Sequence, residues 1–215
     1  MDKTEKTIKA YNASAHNFQT KFMDLKLYKN SFEILSGYLQ PDFTILDPGC
    51  GPGNVTKYLL EKETTLKITG IDLSEEMIKL ARKNVPGAEF ECQDIRKINF
   101  ENNQFDMIIA AFCLPYLYNE EAADFIKKTS GFLKNGGILY VSTMEGDGNR
   151  FETTSFCRDH EMFFNYYNED FLLDVFKDNN LNVEHYIRQE YPESDGSVTV
   201  DMIFILKKTG EYYEN

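Results

Sequence analysis

Between Ile45 and Thr56 the chain reads I-L-D-P-G-C-G-P-G-N-V-T, an order few folds accommodate. Apolar residues ending a strand run into an acid, and glycines alternate at Gly49, Gly51 and Gly53 before a helical pattern begins. Glycine reaches backbone conformations closed to other residues and lets a ligand come close to the main chain. A helix that starts straight after such a loop brings unpaired N–H groups and a positive dipole end to it. The stretch is read as a strand, a turn and a helix that together hold an anionic group or a nucleoside.

The rest of the chain repeats the alternation. Residues 5–22 read as helix, with Tyr11, Ala15, Phe18 and Phe22 on one face, and residues 24–39 as a second helix closed by Pro41. Strands are predicted at Thr44–Asp47, Lys67–Asp72, Ala88–Cys92, Phe105–Phe112 and Ile138–Thr143. Between them fall helices at Asn54–Glu61, from an N-cap at Ser74 to Lys83, and at Glu120–Leu133. Residues 145–167 read as irregular and rich in aromatics. Asn168 caps a last helix, Glu169–Asp178, which Asn179 or Asn180 ends in the left-handed conformation. Val183–Gln189 and Val198–Lys207 flank a hairpin signal, Ser194-Asp195-Gly196. Alternating strands and helices predict a parallel sheet covered on both faces, with an antiparallel strand added at or near one edge. Ligands of such sheets sit beyond the carboxyl ends of the strands. That selects Asp47–Gly53, Asp72-Leu73, Asp94-Ile95 and Ala111–Tyr116.

At 215 residues, 42% apolar and 27% charged, the chain suits one domain with a full core. A formal net charge of −12 argues against nucleic acid as a partner. No run is long enough to span a membrane, and the N-terminus has no signal-peptide pattern. Cys50, Cys92, Cys113 and Cys157 are scattered, which predicts neither disulfides nor zinc and points to a reducing, cytoplasmic setting.

Asp72 ends the second strand, 19 positions after Gly53. Its two acceptor oxygens match a ribose cis-diol. Asp94 ends the third strand and could accept from an exocyclic amine, with Ile95 packed on a ring. A nicotinamide dinucleotide fits poorly. Its G-x-G-x-x-G register is replaced here by G-x-G-x-G, and Asp47 would repel a pyrophosphate.

D-P-G-C-G-P-G at 47–53, I-D at 71–72, D-I at 94–95, F-D-M-I-I-A at 105–110 and F-L-K-N-G-G-I-L at 132–139 follow one another in order. In this the chain resembles the Rossmann-like, seven-stranded (class I) S-adenosylmethionine-dependent methyltransferases of small-molecule type. The resemblance implies a three-layer α/β sandwich with a mostly parallel seven-stranded sheet whose last strand is antiparallel. It implies one domain over residues 1–215, with covering helices in 1–40 and an aromatic lid in 144–168. Gly49, Gly51 and Gly53 would lie under the methionine part of the cofactor, and Asp72 would hold the ribose. Leu73 and Met77 would lie near the adenine, Asp94 would read its amine, and Ile95 would meet the ring. Ala111, Phe112 and Cys113 would line the sulfonium side, and Tyr11 would belong to the covering helix. The cofactor is net positive. Asp47, Asp72 and Asp94 offer it acceptors, and the helix beginning at Asn54 favours its carboxylate.

Methyl transfer from a sulfonium is an in-line displacement that gains most from holding the nucleophile in place. A general base matters only for a protonated acceptor. No residue is assigned as catalytic; His16, His160 and Tyr116 are the candidates, and His185 is read as structural. Phe156, Phe163, Phe164, Tyr166 and Tyr167 would close an apolar pocket over the methyl. The place of the N/D-P-P-Y/F tetrad is taken by Ala110-Ala111-Phe112-Cys113, which lowers support for a planar amine acceptor. A metal is not expected, and the expected state is a monomer or homodimer. The alternative is a non-catalytic, cofactor-binding regulatory protein on the same fold.

Overall fold

The computed structural model describes residues 2–193 and 196–210. Ser194 and Asp195 of the hairpin signal therefore lie outside the described residues. The chain begins with α1 (Lys3–Phe22), a short 3-10 turn (Lys26–Tyr28) and α2 (Lys29–Ser36). The second helix is shorter than predicted. Asp24 accepts the Lys26 N–H at 3.0 Å, which opens a local turn in place of a helical start. Gly37 then follows the last helical residue.

The alternating part runs β1 (Thr44–Pro48), α3 (Asn54–Lys62), β2 (Lys67–Asp72), α4 (Glu75–Asn84), β3 (Glu89–Cys92), β4 (Phe105–Ala111), α5 (Asn119–Phe132) and β5 (Leu133–Met144). Then come β6 (Asn149–Thr154), β7 (Cys157–Asn165), α6 (Glu169–Asp178), β8 (Leu181–Pro192) and β9 (Val198–Lys208). The main sheet has seven strands in the order β3-β2-β1-β4-β5-β9-β8. The strands β1 to β5 are parallel, and β9 is antiparallel to both its neighbours. The order reverses at β1, next to β4, where such sheets bind ligands.

Alternation along the strands divides the core into two sides. Leu46, Ile108, Leu139 and Phe204 face α5 and α6, and meet Phe125, Ile126, Leu172 and Phe176. Ile45, Met107, Tyr140 and Ile203 face α2 and α3, and meet Phe32, Leu35, Val55 and Leu59. Capping follows the sequence signals. The Ser74 hydroxyl accepts the Met77 N–H, and the Asn168 side chain accepts the Asp170 N–H. Asn180 takes φ +56° just beyond α6.

Residues 145–167 are not irregular. They carry the β6–β7 hairpin, a second two-stranded sheet packed against α1. Residues 162–167 are buried on both faces, so the period-2 signal of a strand is absent from the sequence there.

Candidate functional site

The three loop glycines hold φ +77°, +52° and +82°. A side chain at Gly49 would start 2.7 Å from the Cys113 Cβ, so the loop lies directly on the end of β4. The loop's N–H groups are largely used within the fold. Gly49 and Cys50 both donate to the Ile71 carbonyl, Gly53 donates to Cys50, and Gly51 donates to an Asp72 oxygen at 2.9 Å. The expected reservoir of free donors is thus closed.

Asp47, Gly53 and Asn54 stand outside the cavity lining. The Asp47 carboxylate is buried and accepts from the Thr56 hydroxyl at 2.6 Å, so it caps the start of α3 from within. Burial pushes its carboxyl up to about 7, with the Thr56 hydrogen bonds pulling back and Asp72 adding to the rise. Gly53 faces Ala81 of α4 and Val85 just beyond it, and the Asn54 amide donates to the Phe22 carbonyl at the end of α1. The helix start therefore meets Asp47 and α1, and not the cavity where the cofactor's carboxylate was expected.

The cavity, of about 160 Å³, opens over Gly49 and Gly51. Asp72, Leu73 and Met77 line one end of it, and Ala111, Phe112 and Cys113 the side toward β4. Asp72 accepts from the Gly51 N–H through one oxygen and from the Ser74 N–H, at 2.8 Å, through the other. A carboxylate oxygen can accept more than one hydrogen bond, so this lining residue has acceptor capacity that suits two neighbouring hydroxyls. Burial raises the Asp72 carboxyl, and the N–H groups of Ser74, Gly51 and Leu73 hold that rise back.

At the far end, Asp94 and Ile95 line the cavity beside Arg96. Arg96 grips Asp94 through Nε and Nη2 and also reaches Thr4 of α1 at 3.0 Å and Glu121 at 3.3 Å. Burial lifts the Asp94 carboxyl, but the Arg96 hydrogen bonds outweigh it and leave it below its usual range. Lys3, only 9% exposed, closes this end by donating to Glu121 and to the Tyr116 carbonyl.

The roof is α1. Thr4, Ile8, Tyr11 and Phe18 follow one helical stripe over the cavity. The sequence reading took that stripe from Tyr11 onward; the same spacing carried backward would have found Ile8 and Thr4. Arg96 was missed too, although it lies two positions after Asp94. The Tyr11 and Tyr116 hydroxyls bond each other, and their rings meet edge to face at 5.6 Å.

The other candidates lie elsewhere. His16 is exposed on the outer side of α1, and His160 lies half-buried in β7. His185 bonds the Tyr38 hydroxyl at 3.0 Å. Phe156, Phe163, Tyr166 and Tyr167 do not line the cavity. Phe156 packs against Tyr11, Phe18 and Phe22, and Phe163 against Tyr118 and Phe151. The Tyr166 hydroxyl bonds Glu152 and its ring lies under Arg150, while the Tyr167 hydroxyl donates to the Leu114 and Leu117 carbonyls. Phe156 and Tyr166, with Phe164, form the packed layer under α1, whereas Tyr167 belongs to the core on the α5 and α6 side. Among the described residues no group of His, Cys, Asp and Glu could hold a metal ion, and no helix is long and apolar enough to cross a membrane.

Residues 45–137 match the methyltransferase domain model. Over 176 residues the chain is 28% identical to the putative methyltransferase 235L of Invertebrate iridescent virus 6, covering 79% of this chain and 63% of that one. Over 97 residues it is 35% identical to the trans-aconitate 2-methyltransferase of Variovorax paradoxus, covering 45% of this chain and 37% of that one. The chain thus spans less than two thirds of either relative. Its fold is shared by the Burkholderia thailandensis 1,6-didemethyltoxoflavin-N1-methyltransferase, solved with 1,6-didemethyltoxoflavin and S-adenosylhomocysteine. That likeness has a TM-score of 0.72 at 19% identity and covers 96% of this chain and 89% of the other. The matched segment starts at β1 and ends within β5, so it contains the strands that build the cavity floor, and over that span the chain is similar to the methyltransferase domain.

Proposed function

We propose that this chain transfers a methyl group from S-adenosylmethionine to a small-molecule acceptor. The observation that carries the reading is Asp72. It is fixed by two backbone N–H groups at the carboxyl end of β2, lines the cavity, and has acceptor capacity left for a ribose. Bound in the cavity, the cofactor supplies a methyl group on a sulfonium. Asp72 orients the ribose, Asp94 under the grip of Arg96 accepts from the adenine amine, and Leu73, Met77 and Ile95 pack on the base. Gly49, Gly51, Ala111, Phe112 and Cys113 surround the methionine end, and Tyr11 with the rest of α1 excludes water.

No metal is needed in this reading, because a sulfonium already has a neutral leaving group. The net charge of −12 disfavours nucleic acid as the acceptor. The reading further takes the chain as one methyltransferase unit, cytoplasmic, and a monomer or homodimer. Titration calorimetry with S-adenosylhomocysteine tests the cofactor site. Transfer of label from methyl-labelled cofactor into a metabolite extract separates an enzyme from a regulatory protein that only binds. Tight binding with transfer is the expected result, and no binding at millimolar ligand overturns the reading.

A further inference from the structure

One buried carboxylate is not used by the cofactor site. Asp201, at the start of β9, is 2% exposed. It sits directly opposite Met144 at the end of β5, and alternation along β9 puts it on the side of Ile203 and Ile205, which faces α2 and α3. Met144 packs against the same aromatic cluster as Tyr11, Phe18 and Tyr116, three of the residues that wall the cavity. The Tyr28 hydroxyl donates to Asp201 at 2.8 Å, and the Tyr28 ring lies 5.1 Å from the ring of Phe112, itself a lining residue. Neither Asp201 nor Tyr28 lines the cavity, and Tyr28 links the acid to Phe112, which does.

Two features mark the place as more than core. An ionised carboxylate taken out of water is costly unless a cation balances it. Among the described residues, the titratable groups that act on Asp201 supply none: they are Tyr28 from the 3-10 turn, Tyr140 from β5 and Glu193 just beyond β8. The second feature is Phe112, a bulky residue held at φ +53° by two hydrogen bonds from its N–H to Ser142. Such strain in a non-glycine residue persists where the surroundings hold a side chain in a required place.

We propose that Asp201 and Tyr28 form the acceptor subsite and that it takes an aliphatic amine in its ammonium form. The proposal rests on the methyltransferase reading for its purpose but not for its binding chemistry. The ammonium supplies the missing positive charge, and the rings of Tyr28 and Phe112 suit a cation. One N–H bond of the ammonium breaks and one O–H bond forms on the Asp201 carboxylate, which leaves the nitrogen lone pair free and the total charge unchanged. Burial lifts the Asp201 carboxyl to about 7, the Tyr28 hydroxyl pulls it back, and Glu193 pushes it further up. An acid poised there can both pair with a cation and accept a proton near neutrality. A carboxylate acceptor would meet like charge. Tyr28 belongs to the short link between α1 and α2, so its ring can move aside without disturbing the sheet.

The test is calorimetric, on the full chain with and without saturating S-adenosylhomocysteine. The probes are small aliphatic amines with carboxylic acids and alcohols of matched size. Amines are expected to bind at least tenfold more tightly than the matched acids and alcohols. Asp201→Asn should weaken the amines at least tenfold and Tyr28→Phe about threefold, with S-adenosylhomocysteine affinity unchanged in both. Circular dichroism verifies that each variant is folded, and Tyr28→Phe carries the test if Asp201→Asn is not. Equal affinity for the three ligand classes, or amine binding indifferent to the substitution, overturns the proposal. Amine binding without S-adenosylhomocysteine binding would instead uphold the subsite and bring down the methyltransferase reading.

Discussion

At Gly49 one added carbon decides whether the loop still fits against β4. Its Cβ would stand 2.7 Å from the Cys113 Cβ, and its φ of +77° is unfavourable for any side chain. Gly51 has a similar φ, +52°, but a Cβ there would meet only Phe18 at 3.6 Å. Both alanine variants share the left-handed penalty of about 1–2 kcal/mol. Gly49→Ala adds overpacking, typically about 1–3 kcal/mol. Urea unfolding should therefore place Gly49→Ala below Gly51→Ala in stability, and equal midpoints would mean that β4 yields freely. Asp72→Ala leaves the fold but removes the proposed ribose acceptor, so S-adenosylhomocysteine affinity should fall at least tenfold. Unchanged affinity would refute the ribose assignment.

Asp47 adds a pH dependence of known sign. Its folded carboxyl is raised from 3.8 to about 7, so the folded state holds a proton that the unfolded chain has released across that window. Stability therefore falls as pH rises from roughly 4 to 7 and levels off above. Asp201 and Asp72 are displaced in the same direction. Asp94 and Glu121 are held low and act only below the ordinary carboxylate range. The thermal midpoint of the ligand-free protein should thus drop between pH 5 and pH 8, and drop less in Asp47→Asn.

Between elements, α1 is the part with most to lose. The Ser74 hydroxyl donates to Asn12, Asn84 donates to Gln19, and Arg96 and Lys3 tie its first turn to Asp94 and Glu121. The Lys3 ammonium also lies over the Tyr118 and Phe163 rings. A charged hydrogen bond of this kind is worth about 1.5–3 kcal/mol. Lys3→Met keeps the stem and loses the charge, so S-adenosylhomocysteine should dissociate about tenfold faster. An unchanged off-rate in a stopped-flow chase would mean that α1 does not latch. These links explain what the sequence leaves unread. The glycine loop, Asp72 and Asp94 sit in local patterns that announce their chemistry. Lys3 and Arg96 act across 118 and 25 positions of chain, and no local period records that. The end of β7 is hidden for the related reason that it is buried on both faces, which removes the alternation a strand would otherwise show, while β6 is largely exposed and carries no apolar period at all. Asp47 and Asn54 err the other way. Their motif positions are right for a ligand site, but the helix start they flank is satisfied by the fold itself.

Over the whole molecule, the cavity lies between a rigid sheet edge and a roof held by a few polar links. The floor comes from the ends of β1, β2, β3 and β4, and the roof from one helix at the start of the chain. A ligand that touches both adds a direct link between floor and roof, so its binding energy stabilises the fold as a unit. S-adenosylhomocysteine at one hundred times its dissociation constant adds about 2.7 kcal/mol. For a domain of this size each kcal/mol shifts the thermal midpoint by about 2–4 °C. The expected rise is therefore about 5–10 °C, with hydrogen exchange slowed across α1 as well as at the strand ends. Asp72→Ala at the same concentration should lose most of the rise. A full rise in that variant, or protection confined to the sheet, would mean that the ligand sits somewhere other than under α1.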